Sequence, residues 1–129
     1  MDSQKIKVLI IEDEKILAEM YKDKFEEAGY QVDSVFSSEQ ALDYLKKEKP
    51  DLILLDILLP RENGIHLLKR LKEIEGISEI PVVAFSNYDE PKTKKEALDL
   101  GAKAYLIKTQ YTPKELLEEV KKVLKEKQL

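Results

Sequence analysis

The 129-residue chain is 43% hydrophobic and 37% charged, which fits one globular unit with a sizeable core and excludes disordered and membrane-embedded classes. Its formal net charge of −4 argues against nucleic acid as a direct partner, since phosphate binding normally goes with a basic excess or stripe. There is no cysteine for a disulfide or thiolate metal site, and Met1-Asp2-Ser3-Gln4-Lys5 begins no apolar signal region, so a cytoplasmic protein without membrane association, one domain over residues 1–129, is expected.

Ile6 to Ile11 is a short β-branched run that stops at Glu12-Asp13-Glu14, after which Ile16, Leu17, Met20, Tyr21 and Phe25 recur at helical spacing. Gly29 suits the end of that helix, where a positive φ costs glycine nothing. Tyr30 to Val35 reads as a second, more polar strand suited to a sheet edge. Ser37-x-x-Gln40 forms a capping box for a second helix through Ala41, Leu42 and Leu45 to Pro50. Leu52 to Asp56 follows, an aliphatic run of the kind found in strands buried on both faces. Pro60 to Gly64 turns the chain into a third helix with Ile65, Leu68, Leu71 and Ile74 on one face, ending near Gly76.

Pro81 can open a strand but not occupy its middle, so the fourth strand is Val82 to Phe85, ending at Ser86. Asp89 to Leu100 is the next helix, supported by Ala97, Leu98 and the terminating Gly101. Ala104 to Ile107 is the fifth strand, ending at Lys108. Thr112-Pro113-x-Glu115 starts a last helix with Leu116, Leu117, Val120, Val123 and Leu124 inside, and with Glu118 and Lys122 as a solvated pair.

Five strands alternating with five helices predict an α/β, doubly wound parallel sheet covered on both faces. At this length the expected strand order is 2-1-3-4-5, with ligands at the carboxyl ends of the strands. Those ends carry Glu12, Asp13, Asp56, Ser86 and Lys108. Three carboxylates at adjacent strand ends repel one another unless a cation lies between them, and Mg²⁺, a hard ion that prefers oxygen ligands, fits best. Lys108 adds a mobile charge able to pair with Asp56 or with a phosphoryl oxygen, and Ser86 adds a hydroxyl. The set suits an aspartyl phosphate with Asp56 as nucleophile. Taken singly, Asp13 also reads as an N-cap, Lys108 as a surface lysine and Ser86 as a turn former; the case rests on their sharing one rim.

With these residues in this order, the chain resembles a receiver domain of two-component response regulators, a flavodoxin-like (CheY-like) fold, along essentially its whole length. The motif residues are Glu12-Asp13, Asp56-Ile57-Leu58-Leu59-Pro60-x-x-x-Gly64, Ser86 and Lys108. The resemblance implies Asp56 as phosphoacceptor and Glu12, Asp13, Asp56 and the Leu58 carbonyl as Mg²⁺ ligands. It implies Ser86 and Lys108 at the phosphoryl group, and Ser86 with Tyr105 as a coupled switch pair. It also implies a sensor histidine kinase or phosphotransfer protein as donor, a downstream target or output domain, a phosphorylation-dependent dimer, and no turnover enzyme.

Thr109 stands where the family usually has proline, and Asn87 where a small residue is usual. Leu58 and Tyr88 occupy positions that in the family influence how readily water attacks the acyl phosphate; both are apolar-bodied here, so the resemblance implies slow self-dephosphorylation. The alternative is a phosphorylation-independent interaction module of the same fold. A turnover phosphatase would need an acid where Leu58 stands, and a flavin phosphate would be repelled by Glu12-Asp13-Glu14. His66 reads as a surface residue of the third helix.

Overall fold

The computed structural model describes residues 5–59, 62–87 and 89–127; Pro60 and Tyr88, both used in the sequence reading, lie outside the described residues. The elements run β1 (Lys7–Ile11), α1 (Lys15–Glu27), β2 (Gln31–Val35), α2 (Ser38–Lys47), β3 (Leu52–Asp56), α3 (Gly64–Lys72), β4 (Val82–Ser86), α4 (Pro91–Asp99), β5 (Ala104–Ile107) and α5 (Pro113–Lys127). All strand pairs are parallel, in the order β2-β1-β3-β4-β5, as the sequence predicts.

Both faces of the sheet are covered, which is why β3 and β4 are buried at every residue and read as runs rather than alternations. Val8, Ile10, Leu52, Leu54, Val83 and Phe85 pack under α1 and α5. Leu9, Ile11, Ile53, Leu55, Val82 and Ala84 pack under α2, α3 and α4. Pro81 sits just before β4, and its carbonyl accepts from Ile53 N at 2.9 Å, so the missing N–H costs the ladder nothing.

The caps follow the sequence closely. Thr112 Oγ1 accepts from Glu115 N at 3.1 Å while Glu115 Oε1 accepts from Thr112 N at 2.9 Å, a complete capping box for α5. At α2, Ser37 Oγ accepts from Gln40 N at 3.1 Å, but Gln40 Oε1 reaches one residue further back, to Phe36 N. Gly29 has φ of 97°, as a left-handed helix end requires.

Helix faces differ from the sequence reading in three places. In α1 the buried residues are Ala18, Tyr21 and Phe25, whereas Ile16 is 87% exposed and Met20 is also exposed. At about 100° per residue, Ile16 and Met20 fall nearly opposite that buried stripe. In α3 the buried set is Gly64, Leu67, Leu68 and Leu71, and Ile74 lies exposed beyond the helix end at Lys72. Strict three-residue spacing drifts round a helix by about 60° per step, so Ile65 and Ile74 cannot share a face, whereas i, i+3, i+4, i+7 holds one. In α4, Thr93 and Ala97 face inward and Leu98 is exposed. Among the described residues, the ion pairs of α5 are Glu118–Lys121 and Glu119–Lys122, three residues apart, rather than Glu118–Lys122.

Candidate functional site

Glu12, Asp56 and Lys108 meet at the carboxyl edge of the sheet, on the side covered by α1 and α5. Glu12 follows the last residue of β1, held by its backbone N–H donating to Val35 O at 3.1 Å. Its side chain is fully buried: Oε2 accepts from Glu14 N at 3.0 Å and Oε1 from Lys108 Nζ at 2.5 Å. Asp56 ends β3 and is also buried; Oδ1 accepts from Leu58 N at 2.9 Å and Oδ2 from Lys108 Nζ at 3.1 Å. One ammonium therefore serves two buried carboxylates.

The turn after Asp56 depends on Gly64. A Cβ there would lie 2.5 Å from Ile57 Cα and 2.7 Å from the Asp56 carbonyl oxygen, closer than any side chain tolerates. Without it, Gly64 N donates to Ile57 O at 2.7 Å and α3 starts tight against the exit of β3. Asn63 caps that start, its Oδ1 accepting from Ile65 N at 2.8 Å.

Burial drives the electrostatics of the rim. Burial pushes the Glu12 carboxyl up to about 7, against the opposing pull of the Lys108 and Glu14 hydrogen bonds. The Asp56 carboxyl is raised for the same reason, with the Leu58 N–H and Lys108 working against the rise. Burial disfavours the charge on Lys108, but its bond to Glu12 and its attraction to Asp56 outweigh that and hold its pKa above the ordinary lysine value. Asp13 is exposed, and one carboxylate oxygen each from Glu12, Asp13 and Asp56 lie within 4.8 Å of one another. Three such oxygens against one ammonium leave an excess of negative charge, and an all-oxygen donor set with an open side suits a hard divalent cation.

Ser86 ends β4 between the strands of Asp56 and Lys108 and is fully buried. By strand alternation it faces the α2/α3/α4 side, as does Tyr105, whose neighbour in register is Ala84. Tyr105 is itself buried in that core, at 6% exposure. The structure thus brings Glu12, Asp13, Asp56 and Lys108 into one cluster, with Ser86 at the same sheet edge and Tyr105 one layer down on the other face.

The family model of the response regulator receiver domain matches residues 8–121. The chain belongs to that family. It is 37% identical over 118 residues to the phosphate regulon transcriptional regulatory protein PhoB of Pseudomonas aeruginosa, covering 92% of this chain and 51% of that protein. It is 32% identical over 123 residues to the alkaline phosphatase synthesis transcriptional regulatory protein PhoP of Bacillus subtilis, covering 95% of this chain and 50% of that protein. The chain thus spans about half the length of these curated relatives. Among solved structures, a Francisella response regulator receiver domain superposes with a TM-score of 0.84 at 34% identity, covering 94% of this chain and 98% of that one. A CheY-like receiver domain protein of Methanospirillum hungatei superposes with a TM-score of 0.90 at 26% identity, covering 97% and 98%.

In this receiver domain, Lys108 to Gln110 form a 3-10 turn leading towards α5, with Thr109 exposed. No cis peptide bond occurs among the described residues. Asn87 is exposed, and Leu58 is half exposed beside Asp56. His66 lies on the exposed face of α3, its Nδ1 3.3 Å from a Glu62 oxygen, apart from the rim. Two features escaped the sequence reading. One is the Glu12–Lys108 pair, which joins residues 96 positions apart. The other is the Phe85 ring, whose centroid lies 4.8 Å from Lys108 Nζ. Phe85 falls in register with Asp56, a signal that appears only once the β3–β4 pairing is known.

Proposed function

We propose that Asp56 is the phosphoacceptor of this receiver domain. The observation that carries this reading is the pair of buried carboxylates, Glu12 and Asp56, bridged by the Lys108 ammonium at the sheet's carboxyl edge. An Asp56 oxygen attacks the phosphorus of the donor. The new bond joins that oxygen to phosphorus, and the bond from phosphorus to the donor's nitrogen or oxygen breaks, its electron pair leaving with the donor. Lys108 moves from the carboxylate to a phosphoryl oxygen, and Ser86 donates a hydrogen bond to another.

Glu12, Asp13 and Asp56, with the Leu58 carbonyl, would hold Mg²⁺. That ion supplies positive charge to offset the oxygens of the transferred group. Engagement of Ser86 is coupled to Tyr105, and the signal is a shift between two conformations rather than a released product. The donor is a sensor histidine kinase or phosphotransfer protein, the readout a target protein or output domain, and phosphorylation favours a dimer. The setting is cytoplasmic; among the described residues, no helix is long and apolar enough to cross a membrane. The domain promotes its own phosphorylation and dephosphorylation without being a turnover enzyme. The interaction-module alternative is not favoured, because the complete charge set has no use in it.

The test is intact-protein mass spectrometry after incubation with acetyl phosphate, with and without Mg²⁺, on the wild type and Asp56→Asn. One phosphoryl adduct requiring both Mg²⁺ and Asp56 is expected. No adduct under conditions where Mg²⁺ binds would overturn the assignment.

A further inference from the structure

Lys108 begins on the far side of β4 from the carboxylates it serves. Asp56, Phe85 and Leu106 lie in one register row across β3, β4 and β5, and Lys108, two residues after Leu106, opens the 3-10 turn that follows β5. Alternation puts those three side chains on the α1/α5 side, and the contacts of Lys108 Nζ with Glu12, Asp56 and the Phe85 ring place it there too. To reach Asp56 and Glu12, the lysine must cross the strand that carries Phe85. It does so over the aromatic ring, with Nζ 4.8 Å from the centroid. That separation lies within the range in which a ring's π face attracts a cation.

The ring is itself held in place. Tyr21 of α1 meets it edge-on, with centroids 5.4 Å apart and planes at 71°, and Phe85 is almost completely buried. An aliphatic side chain of similar bulk would fill the same space but offer the ammonium no negative face. A buried cation shared by two carboxylates has few other partners, so this ring is part of its solvation.

We infer that Phe85, braced by Tyr21, is a positioning residue that holds the Lys108 ammonium over β4 so that it reaches Glu12 and Asp56. This inference goes beyond the proposed phosphoacceptor chemistry in its first arm and rests on that reading only in its second.

The first arm is a double-mutant cycle on the metal-free protein, with urea unfolding of wild type, Phe85→Leu, Lys108→Met and the double variant. If the ring acts on the ammonium, Phe85→Leu raises the unfolding constant roughly 3- to 10-fold more with Lys108 present than with Met in its place. A ring that only fills the core gives the same ratio in both backgrounds, and a coupling under about 2-fold would overturn the inference. Because Phe85→Leu can also leave a cavity, fluorinated phenylalanines at position 85 repeat the test at nearly constant shape. Stability should fall stepwise with fluorination when Lys108 is present and stay level in Lys108→Met; a flat series in both overturns the inference.

The second arm follows phosphoryl-adduct formation from acetyl phosphate in the same fluorinated series, where a graded slowing of roughly 3- to 10-fold is expected. A wild type that forms no adduct refutes the phosphoacceptor reading, while the unfolding cycle still decides the role of Phe85.

Discussion

Replacing Lys108 with methionine keeps a four-atom apolar stem, with sulfur in place of Cδ, and removes the ammonium. Glu12 and Asp56 are then left buried without the cation that sits 2.5 Å from one and 3.1 Å from the other. Removing one partner from a buried ion pair typically costs about 3–5 kcal/mol, and here two carboxylates lose the same partner. Protonation limits the loss, because both carboxyls already sit above their ordinary values. Removing Lys108 raises them further, so the folded variant holds protons that the unfolded chain releases at the ordinary carboxylate values, about 4. Stability conferred by a raised carboxyl is complete below the unfolded pKa and lost as pH rises through the folded one. The cost of Lys108→Met should therefore be small at pH 5 and about 3 kcal/mol at pH 8 without metal. With a urea slope of about 2 kcal/mol/M, the midpoint at pH 8 should drop by roughly 1.5 M. Mg²⁺ should recover more stability in the variant than in the wild type, because the competing ammonium is gone. A midpoint at pH 8 indistinguishable from wild type, or a loss as large at pH 5 as at pH 8, would refute the reasoning.

Glu12→Gln probes the same electrostatics from the acid side. With a folded pKa of about 7 against an unfolded 4.5, Glu12 contributes stability at low pH that fades between those values, by about 3 kcal/mol in the metal-free protein. The difference in unfolding free energy between wild type and Glu12→Gln should therefore fall across that window; a difference constant with pH would count against burial as the cause. Gly64→Ala should destabilise by about 3 kcal/mol or more, because its Cβ would lie 2.5 Å from Ile57 Cα and backbone must move. A chemical-denaturation midpoint close to wild type would show that the turn can relax. Leu58→Asn should shorten the life of the phosphoryl adduct severalfold by mass spectrometry, since Leu58 is the half-exposed apolar cover beside Asp56. An unchanged or longer half-life would remove the shielding argument.

Strand residues were legible because a sheet covered on both faces leaves a simple mark: Val82 to Phe85 and Leu52 to Leu55 read as unbroken apolar runs. Helix faces were less so. Ile16 and Met20 look like core residues in a list of apolar positions, yet the stripe that meets the sheet runs through Ala18, whose small side chain gives a weak signal. Asp56 and Lys108 could be placed on the rim because each ends or follows an apolar run, and Asp13 because it stands one residue beyond Glu12. Glu12 was named as an acid of the rim, but its full burial and its bond to Lys108 could not be read from an exposed-looking Glu-Asp-Glu triplet.

The sequence by itself determined the order of the elements and the end of the sheet at which the charged residues gather, because strand and helix periodicities are local and parallel connections admit few topologies. It also determined the turn after Asp56, since only Gly64 permits the approach of α3 to the backbone of Ile57. The tertiary structure alone decided which charges pair and how deeply they lie. Lys108 reaches Glu12 and Asp56, 96 and 52 residues away, only because β1, β3, β4 and β5 lie side by side in that order, and it crosses Phe85 because β4 lies between. Such pairings depend on register and on the absence of water, and neither leaves a periodic trace in the chain.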